Sequence, residues 1–292
     1  PTPTPTPDPD AAHFRSGDDP AEVVVFDNDG GYWSYRSDTL AVEIRRYDIK
    51  NENNQPVRYY AAHIYMREEN AFRSGFGSYR ENGRDPADPF LMARRYKAVL
   101  AITGDNMIHA DTKNKGVIIR NGRLYQDSSS GSTAVLSPDG MRLSVFNSRE
   151  LSGRSLLDTG VEHSFSFGPI LIRDGAVNET VQQHYLYGYN PRVGVGMVDE
   201  GHFVAIVVEG RVAKYSRGVR LDELAELFLA EGCTQAYNLD GGASSGMLFM
   251  GEYINRRVEK HYRDVPDLLM WGYSELVPDE DDEQVNDPFY RG

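Results

Sequence analysis

The stretch AYNLDGGASSG, residues 236–246, places a carboxamide, a carboxylate and two hydroxyls around a pair of glycines. Side chains alternate along an extended strand, so Asn238 and Asp240 point to one side and Leu239 points to the other, into the core. The two glycines let a ligand approach the backbone. From these residues alone two interpretations are equally good. The stretch is the floor of a site for a polyhydroxylated or phosphorylated ligand, or a turn in which Asp240 only bonds backbone N–H groups.

The letters GASSG, residues 242–246, also match the G-x-S-x-G elbow of serine hydrolases. That elbow requires a strand before it and a helix after it. The strand is present, but the apolar MLFM and then Gly251 follow at once, which leaves no room for a helix. A serine esterase is therefore the least favoured hypothesis. It would require a histidine within reach of Ser244 or Ser245.

Many short strands and few helices must position these groups. Runs rich in β-branched and aromatic residues predict strands at 22–26, 40–47, 57–66, 97–103, 233–239 and 246–250. Turns at Asn121-Gly122 and Glu200-Gly201 predict hairpins. This pattern favours an α+β fold with mixed, largely antiparallel β-sheets and a few flanking helices in a single domain.

Two segments have the pattern of helices. In residues 88–96, Asp88 is in the N-cap position and Pro89 in the first helical position. A longer helix before the signature stretch has apolar residues at i, i+3, i+4 and i+7, namely Leu221, Leu224, Ala225 and Phe228. Gly232 ends this helix, and the chain then enters the strand that leads to Asp240.

Composition limits the possible partners. The chain has 292 residues and a formal net charge of −13. This charge argues against nucleic acid, since phosphate-backbone binding needs a basic surface. No run approaches the ~18 apolar residues of a membrane helix, so we expect no direct membrane insertion of the domain. The single cysteine, Cys233, cannot form an intramolecular disulfide. Nothing in the sequence indicates an oligomeric state.

The ends of the chain differ in composition from its middle. Residues 1–20 begin with PTPTPTPDPD, which is typical of an extended polyproline II linker. Residues 276–292 are acidic and poor in apolar groups, as expected for a solvated tail. We predict a folded domain over residues 21–275. Because Pro-Thr spacers often follow a signal peptide or an anchor, we expect an extracytoplasmic location, secreted or anchored at the cell surface.

Several blocks of the chain resemble the phosphodiester glycosidase family. The signature stretch resembles the family's N-L-D-G-G-G-S-S, with Ala243 in place of the third glycine. PRVGVG at 191–196 resembles its P-R-T-A-I-G block, and SFGPILIRDG at 166–175 resembles its F-G-P block. The segments at 116–125 and 216–233 follow the family pattern too. The resemblance covers roughly residues 55 to 272, in the expected order.

The resemblance implies hydrolysis of a sugar-1-phosphodiester, such as an N-acetylglucosamine-1-phosphodiester, at the anomeric C–O bond. A cell-surface or exopolysaccharide glycan would be a suitable substrate. Phosphate is a far better leaving group than an alcohol, so less acid assistance is needed than in ordinary glycosidases. Such a site needs a cation for the phosphate, a carboxylate near the anomeric carbon and hydrogen bonds to the sugar.

Matching the family blocks assigns candidate roles to residues. Arg192 would clamp the phosphate, because a guanidinium can bond two phosphate oxygens at once. Asp240 would be the nucleophile or general base, and Asp105 a second carboxylate for acid/base chemistry or sugar binding. Thr103 stands where many relatives have asparagine, so a hydroxyl replaces that amide in this chain. The expected substrate-binding residues are Asn238, Gly241, Gly242, Ser244, Ser245, Thr103 and Asn106.

We expect neither a cofactor nor a bound metal, because no pair among His63, His109, His163 and His184 has metal-ligand spacing. A second hypothesis is a non-catalytic carbohydrate-binding or polysaccharide-assembly protein on the same fold. An enzyme should bring Asp240, Asp105 and Arg192 to one pocket. A binding protein should instead present stacked aromatic rings, which the 18 tyrosines could supply.

Overall fold

The computed structural model describes residues 11–69, 71–77, 85–106, 115–256 and 263–281. His109 lies outside these residues. Numbered along the described chain, the strands are β1 (Val23–Asp27), β2 (Tyr32–Arg36), β3 (Leu40–Lys50), β4 (Pro56–Met66), β5 (Phe72–Phe76), β6 (Ala98–Thr103), β7 (Val117–Arg120), β8 (Arg123–Asp127), β9 (Ser132–Leu136), β10 (Leu143–Asn147), β11 (Ser164–Phe165), β12 (Ile170–Arg173), β13 (Ala176–Val177), β14 (Arg192–Asp199), β15 (His202–Val208), β16 (Gln235–Leu239), β17 (Met247–Phe249), β18 (Glu252–Tyr253) and β19 (Asp267–Tyr273).

These strands form three sheets. The largest has nine strands in the order β1-β2-β3-β4-β15-β14-β16-β12-β13. Two five-stranded sheets have the orders β10-β9-β11-β7-β8 and β18-β17-β6-β19-β5. Each pairing between described strands is antiparallel. The predicted α+β fold with largely antiparallel sheets is confirmed.

Alternation along the central strands divides the core into layers. On β15, Phe203, Ala205 and Val207 face the main core that the three sheets share. Val204, Ile206 and Val208 face a second core on the other side of the nine-stranded sheet. This two-residue period is the one that a sheet buried on both faces requires.

The α-helices of the described residues are α1 (Pro89–Arg95), α2 (Gly153–Asp158) and α3 (Leu221–Ala230). Asp88 caps α1 as predicted, since its Oδ1 accepts a hydrogen bond from the backbone N–H of Phe90 at 2.9 Å. The predicted apolar face of α3 is fully buried in the second core. It packs closely on β14, where a Cβ added to Gly194 would lie 2.8 Å from the Phe228 ring. No helix among the described residues is long and apolar enough to span a membrane.

The described parts of the two terminal regions contact the domain. Phe14 is buried with Ala41 and Tyr65, and the Arg67 guanidinium lies 3.7 Å from the centre of its ring. Val277 is buried in the main core. The domain boundaries at 21 and 275 stay predictions.

Candidate active site

Two strand ends meet to form the candidate site. The chain leaves β6 at Thr103 and reaches Asp105 two residues later, and it leaves β16 directly into Asp240. The backbone N–H of Asp240 donates to the carbonyl of Gly104 at 3.0 Å. The Thr103 hydroxyl donates to the carbonyl of Ser244, which ties the signature loop to β6. Asp105 and Asp240 therefore line one cavity of about 240 Å³.

Asp105 is held by three donors. Its Oδ2 accepts hydrogen bonds from Arg120 Nη2 at 3.0 Å and from the backbone N–H of Ser166 at 2.9 Å. Its Oδ1 accepts from the backbone N–H of Phe167 at 3.0 Å. Hydrogen bonds to an ionised carboxylate are the stronger kind and fix its orientation. Asp105 therefore forms a rigid wall of the cavity.

Asp240 has a different environment. Its side chain is buried at the point where the two loops meet, and burial raises its pKa to about 6. The Asp105 charge adds to this rise, while Ser244, Arg263 and the Gly241 N–H oppose it. Desolvation disfavours the charged form of a carboxyl group. Asp240 thus titrates close to neutral pH, as a group that exchanges protons or attacks in catalysis should.

Polar and aromatic groups line the Asp105 cavity. Tyr185 is 60% exposed, and the Lys115 ammonium lies 5.4 Å from the centre of its ring. Asn106, Gln126 and Ser166 supply amide and hydroxyl groups to the same space. An aromatic face beside hydrogen-bonding side chains is suitable for a sugar ring with its hydroxyls.

A second cavity of about 390 Å³ shares Phe167, Leu186 and Asp240 with the first. Gly241 and Gly242 form part of its wall, and Asp240 lines both cavities. Three arginines, Arg192, Arg211 and Arg263, line the second cavity. Its lining is therefore cationic within a chain whose net charge is −13.

Arg192 is a buried cation held by carbonyl groups. Its Nε donates to Val219 O at 3.2 Å and its Nη2 to Leu186 O at 2.6 Å. Burial and the neighbouring Arg211 lower its pKa to about 10, so it remains charged at neutral pH. Among the described residues, no carboxylate forms an ion pair with Arg192. A buried charge without a counter-ion is costly, and a bound anion would remove that cost.

The structure separates the predicted site residues into two groups. Asp105, Asn106, Asp240, Arg192 and the two glycines Gly241 and Gly242 line the two cavities. The other predicted residues lie behind the cavity walls: Thr103, Asn238, Ser244 and Ser245. Their predicted contacts with substrate stay predictions.

The second group supports the walls through hydrogen bonds. The Asn238 amide donates to Gly168 O at 2.8 Å, beside the loop that holds Asp105. The Ser245 carbonyl accepts from Asn255 Nδ2 at 3.2 Å. These contacts, with that of Thr103, keep the signature loop against β6 and the 166–168 loop.

Residues outside the predicted set also line or support the site. Arg120 is completely buried, although it stands in the strand VIIR, and a charged residue inside an apolar run was the signal available in the sequence. Arg211, Arg263 and Tyr185 lie in loops far apart in sequence. No local pattern relates these loops, so their convergence is visible only in three dimensions.

The serine esterase hypothesis finds no support in the geometry. A short 3₁₀ turn, Gly242–Ser244, leads into β17 where the elbow needs an α-helix. In the part of the chain that the structure describes, no histidine hydrogen-bonds to Ser244 or Ser245. There is likewise no cluster of three His, Cys, Asp or Glu side chains that could hold a metal in the described residues.

One histidine does not stand alone. The sequence shows no partner for His63, but adjacent strands β4 and β15 place its Nδ1 2.9 Å from His202 Nε2. Its Nε2 lies 3.0 Å from Glu231 Oε2. These three side chains are remote in sequence, so spacing along the chain does not reveal the contact.

Comparisons with known proteins identify the family of the chain. The sequence profile of the phosphodiester glycosidase family matches residues 96–271, more than half of the chain. The chain belongs to the phosphodiester glycosidase family. It is 32% identical over 196 residues to the SPbeta prophage-derived uncharacterized protein YomE of Bacillus subtilis strain 168. That match covers 65% of this chain but only 30% of the relative.

Solved structures share the fold. The catalytic domain of zebrafish N-acetylglucosamine-1-phosphodiester alpha-N-acetylglucosaminidase, auto-inhibited by its pro-peptide, superimposes with a TM-score of 0.65 at 20% identity. The match covers 82% of this chain and 85% of the zebrafish one. A putative exported protein of Burkholderia pseudomallei K96243 matches with a TM-score of 0.52 at 13% identity, over 75% of this chain and 74% of that one.

Proposed function

We propose that the protein is an enzyme that hydrolyses a sugar-1-phosphodiester at the anomeric C–O bond. The single observation that carries this proposal is the position of Asp240. Asp240, a buried acid, lines both a cavity with sugar-binding character and a cavity lined by arginines. In the substrate, the bond between the anomeric carbon and a phosphate oxygen would lie beside Asp240, with the sugar in one cavity and the phosphate in the other.

In this arrangement the sugar occupies the Asp105 cavity. Tyr185 offers a ring face for stacking, and Asn106 and Gln126 offer hydrogen bonds to hydroxyl or N-acetyl groups. The buried Oδ1 of Asn106 has no hydrogen-bond partner in the described structure. A sugar hydroxyl would satisfy this acceptor.

The phosphate occupies the arginine cavity. Backbone carbonyls hold Arg192 through its Nε and Nη2, so its Nη1 could donate to a phosphate oxygen with little further loss of side-chain freedom. Arg211 and Arg263 add positive charge at the same place. These charges would stabilise the phosphate as it departs with the electrons of the broken C–O bond.

The two carboxylates have separate tasks. Asp240, as nucleophile or as general base on a water molecule, acts through its ionised form. Its raised pKa makes that form more basic than an ordinary aspartate, yet still populated at neutral pH. Asp105 stays in place and presents negative charge to the oxocarbenium-like transition state of glycosidic cleavage.

We further propose that the substrate is an N-acetylglucosamine-1-phosphodiester or a related linkage in a cell-surface or exopolysaccharide glycan. A sugar-1-phosphate bridge in such a polymer supplies both the sugar and the anion that the two cavities fit. The Pro-Thr segment supports an extracytoplasmic location, where such polymers lie.

The second candidate function is carbohydrate binding without turnover. The exposed ring of Tyr185 beside the Asp105 cavity is the observation that favours it. It requires that Asp240 contribute to affinity alone. Family membership does not decide between the two, because catalytically inactive members can retain a fold and a site.

The test is release of N-acetylglucosamine by the purified protein from an alkyl N-acetylglucosamine-1-phosphodiester. The matched substrate is the alkyl N-acetylglucosaminide, which has the same sugar and no phosphate. We expect release from the phosphodiester only, and no release by Asp240→Asn. Release from both substrates at equal rates would contradict the role of the arginine cavity. Binding of the phosphodiester by calorimetry without any release would establish the binding protein.

A further inference from the structure

Behind Asp105, Arg120 also forms an ion pair with Asp267, and neither Arg120 nor Asp267 lines either cavity. Arg120 on β7 is completely buried and lies between two carboxylates, those of Asp105 and Asp267. Its Nη2 donates to Asp105 Oδ2 at 3.0 Å and to Asp267 Oδ2 at 2.8 Å, and its Nε donates to Asp267 Oδ2 at 3.2 Å. Asp267 thus accepts two hydrogen bonds from the guanidinium at a single oxygen.

The rest of the Arg120 head group is equally constrained. Its Nη1 donates to Ile119 O at 3.1 Å and to Ser164 O, and its plane lies over the Phe165 ring, 4.4 Å from the ring centre. Ser164 and Phe165 immediately precede the two N–H groups that hold Asp105. One guanidinium therefore connects β7, β19 and the 164–167 segment to the carboxylate at the cavity.

The backbone beside Asp267 is shaped around its carboxyl group. A Cβ at Gly104, the residue before Asp105, would lie 2.5 Å from Asp267 Oδ2. Only glycine lets the loop that carries Asp105 pass this close to Asp267. Since Asp267 contacts no cavity, its burial costs stability without contributing a contact to the substrate.

We infer that Asp267 and Arg120 are positioning residues: Asp267 fixes the Arg120 guanidinium, and Arg120 fixes the Asp105 carboxylate against the cavity. The inference rests on the proposed function. Neither side chain would touch the substrate, and both would act on the rate through the orientation of Asp105.

Several titratable groups surround the Arg120 guanidinium. Burial, opposed by Arg120, raises the pKa of Asp267 to about 7, and its Oδ1 has no hydrogen-bond partner in the described structure. Burial and Arg120 lower the pKa of His163 to about 4, and burial and Asp105 raise the pKa of Tyr237 well above its usual value, so both are neutral. Asp240 is a further titratable neighbour of Asp105. One guanidinium lies between two carboxyl groups, and burial together with the Asp105 charge favours the protonated form of Asp267. An asparagine at 267 has the shape of that protonated state.

Three variants test the positioning role. Arg120→Lys and Asp267→Ala should each lower kcat about 100-fold with KM changed less than threefold, because a misplaced group costs turnover rather than ground-state binding. Asp267→Asn should retain kcat within about threefold, because the amide oxygen can still accept from Arg120. The matched control is Arg94→Lys, which alters another buried arginine, paired with Glu252 and outside both cavities. It should lower stability and leave kcat unchanged.

A second measurement does not depend on turnover. In protein labelled with ¹³C at the aspartate carboxyl carbons, Asp267→Ala should shift the Asp105 signal, and Asp267→Asn should leave it near the wild-type position. Asp105→Asn identifies that signal by its loss. If the wild-type protein releases no sugar, the proposed function fails and the ¹³C shifts alone decide this inference. An unmoved Asp105 signal in Asp267→Ala, or wild-type kcat per folded molecule in Asp267→Ala or Arg120→Lys, would overturn it.

Discussion

The two cavities of the site differ in how the protein holds a buried charged side chain. On the Asp105 side, a buried carboxylate accepts hydrogen bonds from two backbone N–H groups and from Arg120. On the other side, Arg192 is equally buried but bonds only to carbonyl groups. The first arrangement pairs a carboxylate with a guanidinium, whereas in the second no carboxylate of the described residues pairs with Arg192. The difference indicates that the arginine side binds the charged part of the substrate.

Asp240 lines both cavities, and its surroundings differ from those of Asp105 and of Arg192. Its burial is only partly offset by hydrogen bonds and by the more distant Arg263. The fold thus leaves one carboxyl group with a pKa near neutrality beside another that is fully engaged. Separating two carboxyl groups by environment is a recurring way to assign them different roles in hydrolysis.

The largest effects should come from the two carboxylates. Asp240→Asn and Asp105→Asn should each lower turnover by at least about 1,000-fold. The two substitutions should change the free energy of unfolding in opposite directions. Asp105→Asn breaks a buried ion pair and should lower the free energy of unfolding by about 3–5 kcal/mol. Asp240→Asn removes a poorly solvated charge and should raise it by about 1–3 kcal/mol at pH 8. Urea unfolding checks both.

Asp158→Asn, in an exposed ion pair on α2, is the control for these two variants. It should change neither turnover nor unfolding by a measurable amount. Equal loss of stability in Asp105→Asn and Asp240→Asn would contradict the contrast between the two environments.

Next in size is the loss expected from Arg192→Lys. An ammonium cannot donate to the carbonyl groups that hold Arg192 and to phosphate in the fixed geometry of a guanidinium, so we expect kcat/KM to fall about 10- to 100-fold. The comparison with Arg173→Lys, in an exposed ion pair with Glu150, shows the cost of the same substitution elsewhere. Near-normal kcat/KM on the phosphodiester would argue that Arg192 does not hold phosphate.

The pH dependence of kcat/KM should follow the titration of Asp240. Because the ionised form acts as base or nucleophile, activity should rise with pH and level off above about 6, with a tenfold loss per unit well below it. Stability should change in the opposite sense. An acid whose folded-state pKa is raised contributes stability below its ordinary value near 4, and this contribution is lost as pH rises through about 6. A rate that falls as pH rises through 6 would instead make Asp240 a proton donor.

The smallest effect should come from the sugar side. Tyr185→Ala should raise KM about threefold to tenfold, with little change in kcat, since stacking contributes about 1 kcal/mol. Tyr185→Phe, which keeps the ring, is the matched control and should behave like wild type. An effect of Tyr185→Ala on kcat alone would place this ring at the reacting atoms rather than at the sugar face.

Much of this arrangement could be predicted from local patterns. The apolar period of α3, the Asp88 cap of α1 and the Asn121-Gly122 turn depend on neighbours a few residues away. Such features are dictated by short-range geometry. The signature stretch could be recognised as a candidate site for the same reason, since its carboxylate, amide and glycines are adjacent in the chain.

The burial of the charged site residues and their hydrogen-bond partners could not be predicted from local patterns. Asn238 and Asp240 look equivalent on one side of a strand, yet the Asn238 amide bonds to Gly168 behind the wall and Asp240 lines both cavities. The sequence by itself determined the strands, the hairpins and the loop that carries Asp240. Only the tertiary structure decided that Arg120 would hold Asp105 and that Arg192 would lack a counter-ion, because burial and pairing depend on which distant segments the sheets bring together.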